Sequence, residues 1–407
     1  MSDILHLLRE RGFVQDISDE KALSERLRSP ITLYTGYDAT APSLTAGHLV
    51  TIMMLAWFQR CGHRPIALMG GGTTMVGDPG GRSSTRPILT VEQIDRNLSS
   101  IKEQFSRFLD FSNGKALMIN NADWLRELKF VDFMRDVGSR FSVNEVLRLE
   151  AYRTRLEAGG MTLLELSYAM MQPYDFVRLN QDYGCILQVG GSDQWGNSVM
   201  GADLVRRMTG REAYVLVAPL LLNSDGTKMG KTESGAVFLN ISAYDYYQYW
   251  RNTDDRAVKR NLATFTFLPM NEVNSLGDAV GSDLNHSKEV LAFEATRILH
   301  GERAAHDAQE AAHALFGPGD MTEHVPTTSV ERERLEQGIA VTELFKLASL
   351  VDSANQARNL IAQGGLAIDG VPVTDARMIV SLEAFQDGHL LLSRGKRNRM
   401  RVIHAEP

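Results

Sequence analysis

Apolar and polar positions alternate along this chain in two rhythms, and the change from one to the other divides it. The opening stretch, residues 1–13, mixes Asp3, Arg9, Glu10 and Arg11 among leucines as an amphipathic helix does. Residues 31–37 read as a buried strand, and residues 49–58 carry apolar side chains at helical spacing. A second apolar run, residues 64–69, stops at Gly70, Gly71 and Gly72. Helical patterns follow at 91–109, 131–136, 143–157 and 162–179, with strand candidates at 116–119, 186–189 and 214–219. This alternation predicts a parallel sheet with helices on both faces. From residue 242 to about 316 the strand signal disappears and helical spacing takes over, as at 243–250 and 290–299, which predicts a separate helical domain. Gly317, Pro318 and Gly319, then the polar stretch 322–329, have linker chemistry. Beyond them the helical patterns 341–347 and 353–363 and the short β-like runs 366–368 and 390–392 predict a small α/β module. No fixed-period repeat or low-complexity tract interrupts the pattern.

Composition narrows the class. A chain of 407 residues suits two to three domains at roughly 150 residues each. With 43% apolar and 23% charged residues it belongs with globular proteins rather than disordered or fibrous ones. Lys and Arg number 43 against 50 Asp and Glu, a net charge of −7, so a nucleic acid would need a local basic patch. Cys61 and Cys185 are too few for a disulfide framework or a four-cysteine zinc site, and suit a reducing compartment. The ten histidines form no ligand cluster with them, so no structural metal is expected. The apolar run 215–222 is too short to span a bilayer, and the start does not have the makeup of a signal or transit peptide. A soluble, cytoplasmic protein is expected.

Four stretches carry candidate chemistry. In the strand-to-helix turn from Gly36 to His48, glycines admit a ligand to the backbone, while Thr40, Ser43, Thr45, His48 and a helix N-terminus suit phosphate oxygens. The same residues could serve only as turn and cap. Lys228-Met229-Gly230-Lys231-Thr232, after the turn Ser224-Asp225-Gly226-Thr227, puts two lysines on a loop able to close on a polyphosphate; alone, such lysines are often solvated charges. Tyr168, Gln172 and Asp175, spaced four and three apart, share one helix face, either a ligand-facing wall or a half-exposed polar stripe. At Gly190-Gly191-Ser192-Asp193-Gln194-Trp195-Gly196-Asn197, close backbone approach and a carboxylate suit ribose hydroxyls, although a simple capping turn would need only one of these residues.

Taken in order along the chain, with Gly77-Asp78-Pro79 between them, these stretches resemble the bacterial tyrosyl-tRNA synthetases, members of the class I aminoacyl-tRNA synthetases. Gly47-His48 matches the second half of the His-Ile-Gly-His signature, and the segment from Lys228 to Thr232 looks like a variant Lys-Met-Ser-Lys-Ser signature. The resemblance runs from the first helix to the C-terminus. It implies an α/β fold: a Rossmann-type parallel-sheet catalytic domain over 1–222, and the signature loop with an α-helical anticodon-binding domain over 223–320. A linker over 321–340 and an RNA-binding module over 341–407, like that of a small-subunit ribosomal protein, would complete it. It also implies a homodimer that activates L-tyrosine with ATP, accompanied by Mg2+, and transfers the tyrosyl group to the terminal ribose of its tRNA.

Carried over by position, Tyr34 and Asp175 would bind the substrate phenol, and Asp78, Tyr168 and Gln172 its ammonium group. Gly36, Asp38, Gly47, His48, Gly191, Asp193, Gln194 and Lys231 would line ATP and the adenylate, with Asp193 on the ribose and Gln194 near the activated carboxyl. Thr40, His48, Arg82, Arg86, Lys228, Lys231 and Thr232 would form the catalytic set around the departing phosphates. Thr35 lies beside the ribose region in this reading, without an assigned role. Two positions depart from the family pattern. Thr45 stands where the first signature histidine is expected, and Arg82 where lysine is common, so a longer planar cation could offset the missing imidazole.

For tRNA, Arg394, Lys396, Arg397, Arg399 and Arg401 concentrate positive charge in one short stretch of an acidic chain, suited to phosphate or to protecting a strand edge. Arg206 and Arg207 are candidates for the acceptor stem. A tryptophanyl-tRNA synthetase would share fold and signatures, but Tyr34 with Asp175 favours a phenol. A small-molecule adenylyltransferase would need neither the helical domain nor the last module. An RNA-binding protein on a synthetase scaffold would have no need of the complete tyrosine pocket.

Overall fold

The structure is a computed structural model that describes residues 3–78, 89–222, 231–232, 235–281, 283–314, 327–385, 389–395 and 399–405. The chain divides into two compact units, Met1–Asn240 with Lys259–Asp278, and Ile241–Val258 with Ala279–Pro407.

The first unit is built on a six-stranded sheet of β1 (Asp16–Ile17), β2 (Thr32–Tyr37), β3 (Arg64–Met69), β4 (Leu117–Asn120), β5 (Cys185–Gly191) and β6 (Tyr214–Ala218), in the order β1-β6-β5-β2-β3-β4. The five longer strands pair in parallel, and most of their residues are buried, as in parallel sheets packed on both faces. The sheet is mixed, because β1 pairs antiparallel with β6 at the edge. A two-residue strand beginning with a charge has no readable alternation.

The helix Leu163–Tyr183 is longer than its apolar pattern suggested. At its start the Thr162 hydroxyl accepts from the Glu165 N–H at 3.2 Å, while Glu165 Oε2 accepts from the Thr162 N–H at 2.9 Å, a reciprocal cap. Glu165 Oε1 also accepts from Arg155 Nε at 2.7 Å, in a pair that is almost wholly buried. The far end stops at Gly184, whose φ of +64° suits glycine. The predicted helix 143–157 is two helices, Val143–Val146 and Glu150–Glu157. Leu149 between them is extended, and its side chain occupies the space that a Cβ on Gly196 would need, 3.1 Å from Leu149 Cδ2.

Arg11 fastens the start of this unit to its last segment. Its guanidinium is buried, lies 4.0 Å from the Trp57 ring centre, and donates to the carbonyls of Ala263 at 2.9 Å, Thr266 at 3.3 Å, and Leu268. Arg60 covers Phe267 at 4.4 Å, and Phe267 meets Trp57 edge-on. Residues 259–278 therefore complete the first unit although residues 241–258 belong to the second.

In the second unit the helix Ala243–Arg251 packs with Asp283–His300 and Glu302–Ala314, burying Tyr246, Tyr247, Trp250, Leu291 and Leu299. The terminal part has the helices Val341–Leu347 and Ala354–Ala362 and a five-stranded sheet that includes Leu366–Ile368, His389–Arg394 and Arg399–Ala405. Phe345, Leu350, Ile361, Leu366 and Leu392 lie in its core. Its remaining strands, among them Thr327–Val330, were not apparent as alternating runs. Most of the glycine and polar linker, residues 315–326, lies outside the described residues.

Candidate active site

Strand order turns back between β2 and β5, the kind of place where open parallel sheets take up ligands at their carboxyl ends. There β2 runs into Asp38, β3 into Gly70, β4 into Asn121, and β5 into the turn Ser192–Gln194. Loop chemistry is delivered to one end of the sheet by strands whose residues are largely buried.

Asp175, only 2% exposed, is held from both sides. Its Oδ2 accepts from Asn121 Nδ2 and its Oδ1 from Trp124 Nε1, each at 2.8 Å. Asn121 Nδ2 also donates to Thr73 Oγ1 at 3.0 Å, and Thr73 Oγ1 donates to Asp38 Oδ1 at 2.8 Å. The Tyr168 hydroxyl reaches Asp38 Oδ2 at 3.4 Å. One hydrogen-bonded chain thus joins Asp175, Asn121, Thr73, Asp38 and Tyr168. Glycine makes room for it: a Cβ on Gly70 would fall 2.3 Å from Asp38 Oδ1, and one on Gly71 would fall 2.3 Å from Asn120 Oδ1. The Gly72 N–H, in turn, donates to Asn121 Oδ1 at 2.7 Å.

Burial pushes the Asp175 carboxyl up to about 8, against the opposing effect of its two donors and with help from the charge of Asp38. Burial, reinforced by Asp175, also pushes the Tyr34 phenol well above its ordinary value, so that it is a neutral hydroxyl. The Tyr34 ring meets Phe176 edge-on at 5.1 Å, yet its buried hydroxyl has no partner among the described residues. Gln172 Oε1, Gln188 Oε1 and the Tyr152 hydroxyl are buried and unpaired in the same sense, and Gln188 is the ladder neighbour of Tyr34 on β5. Asp78 Oδ2 accepts from Gln194 Nε2 at 3.0 Å.

The turn after β2 is pinned at several points. The Ala39 N–H donates to Thr74 Oγ1 at 2.8 Å, and Ala39 O accepts from Asn97 Nδ2 at 2.8 Å. The Leu44 N–H donates to Gln104 Oε1 at 2.9 Å. Gly36, Thr40 and Gly47 remain exposed. His48 Nδ1 receives the Thr45 N–H at 3.0 Å and lies 2.9 Å from Thr45 Oγ1. Its removal from water pushes the imidazole down to about 4, so it is neutral at pH 7. Thr35 Oγ1 donates to Val189 O at 2.9 Å, which gives this buried hydroxyl a structural task between β2 and β5.

The structure therefore brings Tyr34, Asp38, Tyr168 and Asp175 together, along with the pair Asp78 and Gln194. Around Asp193, a Cβ on Gly191 would fall 2.7 Å from its Oδ1, so glycine leaves the carboxylate its place. Sequence reading missed Asn121, Trp124 and Thr73. The only available signal was the position of Asn121 and Trp124 just past a strand end. Arg82, Arg86, Lys228, Lys396 and Arg397 lie outside the described residues, and only the backbone is described for Lys231, Thr232, Arg399 and Arg401, which lie in strands. Arg206 and Arg207 both pair with Asp203, at 2.6 Å each, and Arg394 Nη1 donates to Leu350 O at 3.0 Å.

Residues 26–317 match the family described as tRNA synthetases class I (W and Y), and residues 319–402 match the tyrosine–tRNA ligase SYY-like C-terminal domain. The tyrosine–tRNA ligase of Clostridium beijerinckii is 47% identical over 406 residues, covering 99% of both chains. That of Xanthobacter autotrophicus is 48% identical over 405 residues, covering 98% of this chain and 97% of the relative. Among solved structures, a C-terminally truncated mitochondrial tyrosyl-tRNA synthetase from Coccidioides posadasii superposes with a TM-score of 0.67 at 28% identity, covering 76% of this chain and 92% of that one. The tyrosyl-tRNA synthetase of Archaeoglobus fulgidus, solved with L-tyrosine, shares the fold, with a TM-score of 0.58 at 17% identity over 75% of this chain and all of that one. An ordered set of motifs, a sheet that gathers them at one end and near-complete alignment with tyrosine–tRNA ligases agree: the chain belongs to the class I tRNA synthetases, in their bacterial tyrosyl branch.

Proposed function

We propose that Tyr34 and Asp175 read the phenol of L-tyrosine, while Asp78, Tyr168 and Gln172 hold its ammonium group. The reaction is that of a tyrosine–tRNA ligase: L-tyrosine and ATP give tyrosyl-adenylate and pyrophosphate, and the tyrosyl group passes to the 3′-terminal ribose of tRNA. One observation carries the phenol assignment. The Tyr34 hydroxyl is buried without a described partner, near a carboxyl whose oxygens are already fixed by Asn121 and Trp124. An unsatisfied buried hydroxyl costs about 1–3 kcal/mol, which a substrate hydroxyl recovers.

Activation then rests on placement and charge stabilisation. The tyrosine carboxylate attacks the α-phosphorus of ATP, the bond to pyrophosphate breaks, and no covalent enzyme intermediate forms. Gly36, Asp38, Gly47 and Gly191 line the adenylate, Asp193 accepts from the ribose, Gln194 orients the reacting carboxyl, and His48 faces the nucleotide. Thr40, Arg82, Arg86, Lys228, Lys231 and Thr232 receive the departing phosphates, with Mg2+ arriving bound to ATP. Domain roles follow the order catalytic, anticodon-binding and RNA-binding read from the sequence, with residues 259–278 completing the first unit and Thr327–Val330 joining the terminal sheet in place of a linker reaching 340. Arg206, Arg207, Arg394, Lys396, Arg397, Arg399 and Arg401 meet tRNA. A cytoplasmic location is part of the same proposal; among the described residues no helix is long and apolar enough to cross a membrane.

Tyr34→Phe tests the pocket by tyrosine-dependent exchange of labelled pyrophosphate into ATP. Losing one neutral hydrogen bond lowers kcat/KM for tyrosine by roughly 5- to 10-fold and leaves phenylalanine unaffected. Equal tyrosine kinetics in the two enzymes remove Tyr34 from the site. A homodimer is also proposed, supported by apolar side chains exposed on the first unit: Phe130 at 74%, Val131 at 72% and Leu163 at 77%, with Met134 and Leu164. Phe130→Glu with Leu163→Glu converts the dimer to monomers in sedimentation experiments; an unchanged mass places the interface elsewhere.

A further inference from the structure

Thr45 stands at the entrance of the short turn Ala46–His48 that leads into the helix Leu49–Arg60. Its backbone is extended, and two of its groups converge on one atom: the N–H reaches His48 Nδ1 at 3.0 Å, and Oγ1 lies 2.9 Å from the same nitrogen. A backbone N–H can only donate. The ring nitrogen that receives it must present a lone pair, so the single proton of the neutral imidazole lies on Nε2. The threonine hydroxyl, free to rotate, then donates to the same lone pair.

Thr45 is itself held from the other side. It forms an antiparallel bridge with Phe238, flanked by Ala46 N–H to Val237 O and Leu239 N–H to Leu44 O, each at 2.8 Å. Residues 237–239 directly follow the short strands Lys231–Thr232 and Gly235–Ala236, so the segment leaving the second signature is stitched to the residue that grips His48. The turn's own glycine, Gly47, leaves the imidazole as the first large side chain after Thr45.

We propose that Thr45, in place of the first signature histidine, is a positioning residue: its N–H and hydroxyl hold His48 as the Nε2–H tautomer and anchor that ring to the root of the lysine-bearing segment. This deepens the reading of His48 as a group facing ATP and rests on it. Thr45 supplies no cation to the phosphates. It determines which imidazole atom can donate to the nucleotide and keeps the ring from turning about its own axis.

The test is a long-range 1H–15N spectrum of enzyme labelled with 15N-histidine at pH 7, with the His48 signals assigned by their loss in His48→Asn. The wild type shows Nε2 protonated and Nδ1 bare. Thr45→Ala, which keeps the backbone N–H but lacks the hydroxyl, moves the Nδ1 shift and lowers ATP-dependent pyrophosphate exchange by roughly 5- to 10-fold, the worth of one hydrogen bond. Its KM for tyrosine is unchanged, which shows that the fold and the amino acid pocket persist. Thr45→Ser restores both spectrum and rate. A wild-type spectrum with Nδ1 protonated overturns the proposal, as does a Thr45→Ser enzyme that matches Thr45→Ala. If the spectra behave as stated but neither Thr45→Ala nor His48→Ala alters exchange, the hold on the ring stands and the placement of His48 at the nucleotide fails.

Discussion

Asp175→Ala reduces tyrosine-dependent pyrophosphate exchange by roughly two orders of magnitude, because the substitution withdraws the acceptor for the substrate phenol and leaves that hydroxyl buried without a partner in the complex. Asn121 Nδ2 and Trp124 Nε1 both end on this carboxyl at 2.8 Å, and neither can turn to water from its buried position. The unpaired substrate hydroxyl costs about 1–3 kcal/mol in the complex, whereas the two stranded donors lower the stability of free enzyme and complex alike. The same construction explains selectivity. A pocket built to pair a hydroxyl rejects the analogue lacking it by about four to five orders of magnitude, a figure whose reference case is this enzyme family itself. Asp175→Asn keeps the shape but turns an amide N–H toward one of the two donors, so it recovers little. Single-turnover adenylate formation with tyrosine and phenylalanine decides the matter: near-normal tyrosine rates in Asp175→Ala would take the phenol contact away from this residue.

Arg155→Ala is expected to cost about 3–5 kcal/mol of stability, since removing one partner of a buried ion pair leaves the other charge uncompensated. Glu165 is the residue left behind, and it also caps the helix that carries Tyr168, Gln172 and Asp175. Burial tends to raise its carboxyl, but the Thr162 N–H, Arg155 and the Thr162 hydroxyl prevail, and it titrates below its ordinary 4.5. A depressed folded-state value means that the wild-type contribution is present above about pH 4.5 and disappears as pH falls through the folded value. The deficit in Arg155→Ala is therefore greatest near neutrality and shrinks under acid, where Glu165 takes up a proton. Arg155→Met with Glu165→Gln removes both charges while keeping a cap, and regains most of the loss. Urea unfolding at pH 7 and pH 4 measures these differences; equal stability of wild type and Arg155→Ala at pH 7 would mean the pair contributes nothing.

Much of this architecture is written in local pattern. Most residues of β2, β3, β5 and β6 are buried and show in the sequence as short apolar runs, interrupted at Thr35 and Gln188, and the helix Leu49–Arg60 has its apolar spacing intact. Strand β1 did not show itself because two residues carry no period. The break at Leu149, whose side chain packs beside Gly196 far away in sequence, left no mark in the helical spacing of 143–157. The site divides in the same way. Asp38, Tyr168, Asp175 and Asp193 sit in ordered motifs and Tyr34 came by position from the family resemblance, whereas Asn121, Trp124 and Thr73 gain their roles only when three strand ends meet. The helical spacing of 162–179 was legible, but neither the cap of Thr162 and Glu165 nor its tie to Arg155 was read, because a partner ten residues away on another helix leaves no trace in periodicity.

The grip of Arg11 also sets a schedule. Its acceptors are the carbonyls of Ala263, Thr266 and Leu268, more than 250 residues further along the chain. A ribosome adding 5–20 residues per second needs roughly 13–50 seconds to reach them. During that interval the opening helix has been made but its buried cation lacks the groups that neutralise its hydrogen-bonding demand. The first unit can form its sheet during synthesis, but its edge near Trp57 closes only after most of the polypeptide has emerged. That leaves a late, non-local step at the beginning of the chain, the place where vectorial synthesis would otherwise finish first.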